Sequence, residues 1–596
     1  MTDAILIFTF SPIQPFIAEA RRAEDLFAGS RILSELAKAA AQPIGPENLI
    51  YPDRSNLKQD IPNKLVAKVI EEQAEKLAKA AETKLKEQWL QVFVKAAQDK
   101  LVWLQPPDST WQEIWQRQIN NYWECYWAYA PYDGQNYGTA YKAASRALDA
   151  AKRTRCFNQS SEDGMKDTLG GQRSALRLYG TDARKYWAAL ASHKDMPPSK
   201  LRPDGKERLD AIGAVKRFGL SEEDLEIFSS VSTIAAADFL EEAKKHLSEL
   251  NAYRQAVDAL NLYQPRRPDP VWPYDGDLFF IETLTENRLK DSYHLDKPEA
   301  VKMARAREKL VEVHKVVTWP PRPYYALLLM DGDGMGEVVD EVAKLGEEKH
   351  QAFSQNLSRF AGEARTTVEE KQGICIYSGG DDVLAMAPVS TVLPLALALQ
   401  QRFYQEVYEK LPDAIGRPGI GTASAGIAIV HHLYPLSAAL DAARKAEKAA
   451  KGVEGKTAVA IHALKRSGET LEVRSKWEHI PDIWHTLITY FQQEDGPLSS
   501  KFAYSVANEA RIVTCLDQAA QKATLRRLVG RHKARGLAED KVKELEEVAG
   551  KLAEWVRQLD QDIPPEEMDG QEVPQGFTEL GRWLLLARFM AQRGGY

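Results

Sequence analysis

Two stretches of the chain show the short apolar runs and amphipathic helices that are typical of an α+β fold. Near the N-terminus, apolar residues 4–10 predict a strand, a helical pattern covers residues 14–40, and Leu49–Tyr51 and residues 65–69 predict two more strands. Helical spacing then continues over residues 71–129, where tryptophans and tyrosines recur on one face. We interpret these aromatics as core or subunit interface rather than as a base-stacking surface.

The second stretch begins after a proline-rich boundary at residues 319–323, because proline stops both helices and central strands. Its predicted elements are, in chain order, strand 324–330, helix 337–370, strands 373–377 and 383–387, helix 392–410, strand 423–430, helix Leu436–Lys451 and strand 457–461. This order is β-α-β-β-α-β with an additional helix and strand. It matches the ferredoxin-like arrangement of palm domains.

The rest of the chain has a different pattern. Residues 130–320 are rich in loops, with helices predicted at 209–218 and 233–250 and a hairpin around 275–281. From about residue 469 onward the pattern is helical only, which indicates a terminal bundle. The predicted parts are a first palm domain with the helical insertion (1–140), a connector (141–319), a second palm domain (320–465) and a C-terminal helical domain (466–596).

Composition narrows the class of protein without deciding its function. The chain has 596 residues, of which 44% are hydrophobic and 27% charged, as in globular rather than disordered proteins. Its net charge of −7 is too balanced for a protein that coats a polyanion non-specifically. The four cysteines form no CxxC pair, which argues against a disulfide framework and provides no zinc motif. No signal-peptide pattern or membrane-length apolar run is present, so we expect a cytoplasmic protein.

Two acidic motifs end neighbouring strands of the predicted second palm. Asp331-Gly332-Asp333-Gly334-Met335-Gly336 follows the first strand, and Ser378-Gly379-Gly380-Asp381-Asp382 forms the turn between the next two. Because these strands are neighbours in a ferredoxin-like sheet, the four carboxylates of Asp331, Asp333, Asp381 and Asp382 are predicted to converge. Their repulsion would raise their pKa values and destabilise the fold unless hard divalent cations were bound between them.

The glycines of both motifs are the second chemical signal. They allow backbone N–H groups to approach phosphates closely, as side chains would not. Carboxylates, glycines and a pair of Mg²⁺ or Mn²⁺ ions together indicate two-metal phosphoryl or nucleotidyl transfer. Lys451, at the end of a predicted helix, is either a triphosphate contact or a solvated helix-end charge.

Other motifs give weaker signals. Gly455-Lys456-Thr457 resembles the end of a P-loop, but the first glycine is missing and the order of helix and strand is reversed. The pair His431-His432 follows a predicted palm strand and could coordinate metal, but we interpret it as part of an exposed loop. Basic clusters, interpreted as solvated faces, occur at Arg21-Arg22, at Lys152-Arg153 with Arg155, at Lys216-Arg217, and at Arg526-Arg527 with Arg531, Lys533 and Arg535. The last cluster is the best candidate for an RNA-backbone or subunit contact.

Taken in order, these motifs resemble the large palm-domain subunit of type III CRISPR effector complexes, the Cas-ten polymerase–cyclase family, and in particular its Cmr (type III-B) branch. The resemblance covers most of the chain. The motifs that carry it are Phe10-Ser11-Pro12-Ile13-Gln14 with Ala20-Arg21-Arg22, Glu207-Arg208-Leu209-Asp210-Ala211, Ser232-Thr233-Ile234-Ala235, the two acidic motifs, and Ser424-Ala425-Gly426-Ile427. Several independent motifs in the right order are more specific than any single one.

The resemblance implies two palm domains that face each other across a pocket for two ATP molecules. It implies that target RNA, bound to a crRNA-guided ribonucleoprotein of Cmr-type subunits, activates conversion of ATP to cyclic oligoadenylates for antiviral defence. Asp331, Asp381 and Asp382 would be the catalytic metal ligands, with Asp333 as a supporting ligand or backbone cradle. Nucleotide contacts are expected from Gly332, Gly334, Met335, Ser378, Gly379, Gly380 and Lys451 of the second palm and from Ser11, Gly29 and Ser30 of the first.

Two departures from the family pattern change the expectation. The chain starts at the first palm without the HD nuclease domain that members often carry, so DNA cleavage is not expected from it. The zinc site common in the Cmr branch has no CxxC here, since Asp167 and Gly170 stand in its region and Cys156 lacks partner cysteines. We therefore predict no zinc. The alternatives to an oligoadenylate synthase are a synthase of another adenylate product and a scaffold that binds ATP without turnover.

Overall fold

The first sheet is built from the N-terminal strand and its three antiparallel partners. In the computed structural model, which describes residues 2–154, 162–197, 200–221, 230–264, 269–295, 299–412, 415–480, 482–493, 496–568 and 571–592, the order of the four strands is β2-β3-β1-β4. The strands are β1 (Asp3–Ser11), β2 (Leu49–Tyr51), β3 (Lys64–Ile70) and β4 (Glu124–Tyr132). The central strand β1 is apolar and buried because it lies between β3 and β4 and is covered by helices.

Helices surround this sheet and fill the connector. Those of the first 154 residues are α1 (Gln14–Ala18), α2 (Ala23–Ile44), α3 (Glu71–Gln88), α4 (Lys95–Leu104), α5 (Ser109–Ile119) and α6 (Tyr137–Arg153), with a π-helical turn at Trp89–Val94. Those of the connector are α7 (Ala183–Ala191), α8 (Ala211–Phe218), α9 (Val231–Ala235), α10 (Ala237–Ala243), α11 (Leu247–Asp258), α12 (Glu286–Tyr293) and α13 (Ala300–Val317).

The second sheet has six strands in the order β10-β9-β8-β5-β7-β6. Its elements are β5 (Tyr324–Gly332), α14 (Met335–Lys344), α15 (Glu347–Glu370), β6 (Ile374–Gly379), β7 (Asp382–Pro388), α16 (Val392–Glu406), β8 (Ala423–His431), α17 (Leu436–Lys451), β9 (Ala458–Leu464) and β10 (Thr470–Lys476). The pair β8–β9 is parallel and the other pairs are antiparallel. The predicted α+β class with two palm-type sheets is thus confirmed.

The C-terminal part is mainly helical, as predicted. It comprises α18 (Ile483–Gln492), α19 (Lys501–Val513), α20 (Gln518–His532), α21 (Glu539–Asp562), a small pair of strands β11 (Glu566–Met568) and β12 (Gln571–Val573), and α22 (Gly576–Ala591). These helices share one apolar core with the second sheet, to which Leu328 of β5 and Trp484, Trp555 and Trp583 contribute. No helix within the described ranges combines the length and apolarity that a bilayer crossing requires.

The core of the first sheet is completed by residues from the connector. Ile212 and Val215 of α8 and Trp187 of α7 belong to the same apolar cluster as Phe8 of β1 and Ile32 of α2. A buried ionic group reinforces this contact, because Arg217 of α8 bonds to Asp25 of α2 and to Glu207. The connector is therefore packed into the first sheet's core rather than lying beside it.

Several predicted elements are wrong, each for a physical reason. The helix over 14–40 is interrupted at residues 19–22, and residues 124–132 form the edge strand β4 because aromatic side chains suit a half-buried strand as well as a helix. The hairpin at 275–281 is a pair of 3₁₀ turns, Gly276–Phe279 and Ile281–Thr283. Strands do not stop at residue 469, since β10 pairs with β9 and extends the sheet.

Two interpretations of polar residues are also wrong. His431 and His432 are buried, and His432 stacks on Phe280 and lies 2.8 Å from the Ser232 hydroxyl. Lys216 and Arg217 are not a solvated face either, since each is 2% exposed. Their charges are satisfied by groups distant in the chain, which a local pattern does not reveal. Arg155 and Cys156 lie outside the described residues.

Candidate active site

Three carboxylates meet where β5 ends and β6 turns into β7. One oxygen from each of Asp331, Asp381 and Asp382 lies within 4.8 Å of the others. The strand register explains why these three carboxylates are close together. Met330 of β5 pairs with Val383 of β7, so Asp331, which follows Met330, and Asp381 and Asp382, which precede Val383, lie at the same edge of the sheet. Oxygen donors in this number fit a hard divalent cation such as Mg²⁺ or Mn²⁺.

The electrostatics of the cluster also favour a cation. Burial raises the pKa of Asp381, and burial together with the charges of Asp381 and Glu447 raises the pKa of Asp382 further. Asp382 still faces solvent on one side. Ionising both carboxyl groups at once is therefore unfavourable, and a cation bound between them would lower that free-energy cost.

Lys451 supplies positive charge within the cluster. From the end of α17 its ammonium contacts the Asp331 carboxylate and lies 2.8 Å from Glu447 Oε1. Burial lowers the pKa of Lys451 to about 8. Lys451 is therefore at the acidic site, and the interpretation as a solvated helix-end charge is wrong.

Asp333 takes a different position from the other three acids. It is 0% exposed, and its Oδ2 accepts hydrogen bonds from Thr422 Oγ1 (2.9 Å), Ser424 Oγ (2.9 Å) and the Thr457 backbone N–H (3.2 Å). Its own N–H donates to the Thr422 carbonyl at 2.7 Å, so it is not free to cradle a phosphate. The predicted convergence of four carboxylates is thus corrected to three, with Asp333 joining the ends of β5, β8 and β9.

Glycines are required at the turns that present the acids. A Cβ on Gly332 would lie 2.9 Å from Asp381 Oδ2 and would also overlap the Met335 side chain, which covers this residue. Gly334 and Gly380 have φ angles of 66° and 67°, in the left-handed region that favours glycine. Gly332, Gly334, Gly379 and Gly380 thus let neighbouring side chains pack directly onto the loop and the turn, in the space that a Cβ would take.

A tyrosine from the first sheet also reaches the acidic turn. The Tyr51 hydroxyl, at the end of β2, lies 2.9 Å from where a Cβ on Gly380 would stand, and the Tyr377 hydroxyl occupies the corresponding space over Gly379. Burial, reinforced by the acids nearby, raises the pKa of both phenols well above their usual value. Sequence reasoning missed Tyr51, because nothing in its local pattern separates it from an ordinary strand residue.

Other predicted nucleotide contacts are directed elsewhere. The buried Ser378 hydroxyl donates to the Ala361 carbonyl at 2.8 Å. Gly29 and Ser30 lie inside α2, where Gly29 packs against α1 and Ser30 donates to the Leu26 carbonyl at 3.3 Å. Both are therefore enclosed in the first core and do not line an open pocket. Ser11, the last residue of β1, is half-buried and pairs with Glu124.

The two sheets are joined around α15, next to the site. Arg365 donates to Asp60 Oδ2 at 2.7 Å, the Tyr137 hydroxyl lies 2.8 Å from His350 Nδ1, and Lys68 reaches Glu347 at 3.1 Å. Each pair has one member from the first 140 residues and one from α15. This contact brings Tyr51 to the acidic turn.

The segment at Asp167 and Gly170, for which no zinc site is predicted, forms a turn. Asp167 Oδ2 accepts hydrogen bonds from the N–H groups of Leu169 (2.8 Å) and Gly170 (2.7 Å). Cys156, for which no partner cysteines are predicted, lies outside the described residues.

Comparison with known proteins agrees with this geometry. Residues 324–460 match the family model of Cas10/Cmr2, second palm domain, and residues 5–94 match that of CRISPR-associated protein Cmr2, N-terminal. The chain is 25% identical to the CRISPR system Cmr subunit Cmr2 of Pyrococcus furiosus over 579 residues, covering 84% of this chain and 66% of that protein. It thus spans slightly less than two thirds of that relative's length.

Solved structures share the fold. The type III-B Cmr-beta complex contains a chain that matches 99% of this one with a TM-score of 0.61 in the apo state and 0.64 in the state bound to cognate target RNA, at 13% identity in both. The matches cover 82% and 83% of those chains. At this identity the similarity concerns the arrangement of elements rather than particular side chains.

Proposed function

Two segments of the chain match Cas10/Cmr2 family models, and from this premise we propose that the chain is a member of that family whose second palm is a nucleotidyltransferase that converts ATP to cyclic oligoadenylate. The observation that carries the proposal is the convergence of Asp331, Asp381 and Asp382 within 4.8 Å at a sheet edge with glycine backbone beside them. No packing requirement explains three acids there, since their mutual repulsion opposes the fold.

In the proposed reaction a ribose hydroxyl of one ATP attacks the α-phosphorus of another. A new P–O ester bond forms, the bond between the α-phosphorus and the bridging oxygen breaks, pyrophosphate leaves, and the hydroxyl proton passes to solvent. A pair of bound Mg²⁺ or Mn²⁺ ions would lower the pKa of the attacking hydroxyl and neutralise the leaving pyrophosphate. Asp331, Asp381 and Asp382 would hold these ions through their oxygens.

Residues around the acids would orient the nucleotide. Phosphate oxygens would contact the backbone of Gly332, Gly334, Gly379 and Gly380 on the sides that the neighbouring side chains Met335, Ile420, Tyr377 and Tyr51 do not cover. Lys451, now on Asp331, would be released to the triphosphate when metal neutralises that carboxylate. The Tyr51 phenol, kept protonated by its raised pKa, would donate a hydrogen bond from the first palm.

We further propose that the chain works inside a ribonucleoprotein. The relative is named as a Cmr subunit, and one matching structure is of a Cmr complex with cognate target RNA bound. By extension, the partners of this chain are other Cmr-type subunits, crRNA and target RNA, and target RNA activates synthesis.

The test is product formation by the reconstituted complex with labelled ATP, Mg²⁺ or Mn²⁺ and cognate target RNA. Chromatography is expected to show oligoadenylate, and Asp381→Ala with Asp382→Ala is expected to abolish it. The matched control is Glu369→Ala with Glu370→Ala, which removes two adjacent exposed carboxylates of the same palm. Unchanged product in the aspartate variant would refute the site, and ATP binding without product under either metal would favour a scaffold.

A further inference from the structure

A basic cleft lies where the two palms meet, away from the acidic cluster. It has a volume of about 340 Å³ and is lined by Asn136, Thr139, Lys142 and Arg146 of the α6 segment and by Lys344 at the end of α14. One wall therefore follows the first sheet and the other belongs to the second palm.

Two of the three cations that line the cleft have no ion-pair partner among the described residues. Lys142 and Arg146 are exposed, and no carboxylate among the described residues pairs with either. Farther along the same helix Lys152 and Arg153 are exposed as well, against the single acid Asp149. Lys344 is the exception, since it pairs with Glu341 on its own helix. In a chain of net charge −7, this is a local excess of cations.

The walls of the cleft are held together independently of these cations. A Cβ on Gly138 would lie 2.8 Å from the Lys344 Cα, so the two helices touch backbone to backbone. On its opposite face α6 buries Tyr137, Tyr141 and Leu148 against the first sheet. Removing Lys142 or Arg146 therefore leaves the packing intact, and their position facing solvent needs another explanation.

We propose that this cleft binds the phosphate backbone of a single-stranded nucleic acid. Lys142 and Arg146 are one helical turn apart, roughly 6 Å along the axis, and thus present a row of cations to a row of phosphates. Asn136 and Thr139 add polar atoms at the same wall. A protein partner fits less well, because the core of a protein interface is apolar and aromatic, whereas among the described lining residues Ala143 is the one apolar side chain.

The absence of aromatic side chains from that lining also predicts how the strand is recognised. Bases stack on aromatic rings in single-strand-binding proteins, and without them the contacts are to phosphates. RNA and DNA of the same length should therefore bind with similar affinity and little sequence preference. The inference requires no nucleotide turnover, so it stands or falls separately from the proposed enzyme activity.

The test measures binding of fluorescein-labelled oligouridylate and oligothymidylate to the full chain by anisotropy over a series of KCl concentrations. Three double variants are compared: Lys142→Ala with Arg146→Ala, Lys522→Ala with Arg526→Ala on α20, and Lys543→Ala with Lys551→Ala on α21. All six side chains are exposed on helices and each variant changes the net charge equally. The α20 pair has the same residues at the same spacing as the α6 pair and tests the rival basic cluster.

Loss of two phosphate contacts should reduce the slope of log K against log salt by about 1.4, which corresponds to about 25-fold weaker binding at about 0.1 M salt. We expect this loss in the α6 variant alone, for both oligonucleotides. Equal loss in all three variants would mean that only net charge matters and would refute the site. Loss in the α20 variant with normal binding by the α6 variant, or no binding by the unmodified chain, would also refute it.

Discussion

Substitution of Asp333 tests whether this residue stabilises the strand ends around the site or is itself a metal ligand. Replacing it with alanine would leave the Thr422 hydroxyl, the Ser424 hydroxyl and the Thr457 N–H without their shared acceptor. Three lost hydrogen bonds at about 1 kcal/mol each give a destabilisation of about 3 kcal/mol at the ends of β5, β8 and β9. Asparagine should cost less than about 1 kcal/mol, because it keeps one acceptor oxygen and removes a buried charge.

The assay combines hydrogen exchange with product formation. About 3 kcal/mol of lost stability should accelerate exchange of the β5 and β8 amides by about 100-fold in Asp333→Ala if these strands open locally. Asp333→Asn should exchange slowly and keep its turnover. Asp331→Asn is the matched comparison, since it should lose turnover by orders of magnitude with unchanged exchange.

One result would refute the reasoning. If Asp333→Asn lost turnover as severely as Asp331→Asn while its strands stayed protected from exchange, Asp333 would be a metal ligand. The three-carboxylate assignment would then be incomplete.

Three further predictions concern stability. Arg217→Met should lower the free energy of unfolding by about 3–5 kcal/mol in urea titrations, because Asp25 would remain buried without its salt-bridge partner and Glu207 would keep Arg22 alone. Adding Asp25→Asn and Glu207→Gln should recover part of this loss. Burial lowers the pKa of His350 from its usual 6.5 to about 4, so between these pH values only the unfolded chain binds a proton at this residue. The free energy of unfolding should therefore fall by about 3 kcal/mol as the pH drops from 6.5 to 4. Thermal melts of His350→Gln should show a flatter pH dependence. A methyl group on Gly426 would overlap the Glu447 backbone. Calorimetry of Gly426→Ala should therefore show a lower Tm and a smaller increase in Tm on addition of Mn²⁺. The control Gly530→Ala, at an open helix position, should show neither change.

Much of the acidic site was predictable from local pattern. The apolar run of β5 and the glycine-rich turn before β7 identify two adjacent strands, and adjacency brings Asp331 to Asp381 and Asp382. Asp333 was mispredicted because β5 ends at Gly332, after which the alternation of a strand no longer determines where a side chain points. Its buried partners, Thr422 and Ser424, come from a strand about 90 residues later, beyond the reach of any local pattern.

Features formed by distant segments were not predictable in this way. Tyr51 reaches Gly380 only because the first sheet packs against α15, and the sequence around Tyr51 contains no sign of that contact. Lys216 and Arg217 looked like surface charges because Asp25, Glu207 and the carbonyls of Phe16 and Glu19, which satisfy them, come from other segments. Amphipathic periodicity likewise cannot separate a helix from the aromatic edge strand β4.

The packing of α7 and α8 into the first sheet has a practical consequence for dissecting the chain. A fragment that stops near residue 140 would lack Trp187, Ile212 and Val215, and would expose the faces of β1 and α2 that these side chains cover. It would also leave Asp25 without the guanidinium that pairs with it. The smallest fragment worth expressing therefore extends at least through Phe218, and aggregation of a shorter one would report a missing part of its own interior rather than a missing partner subunit.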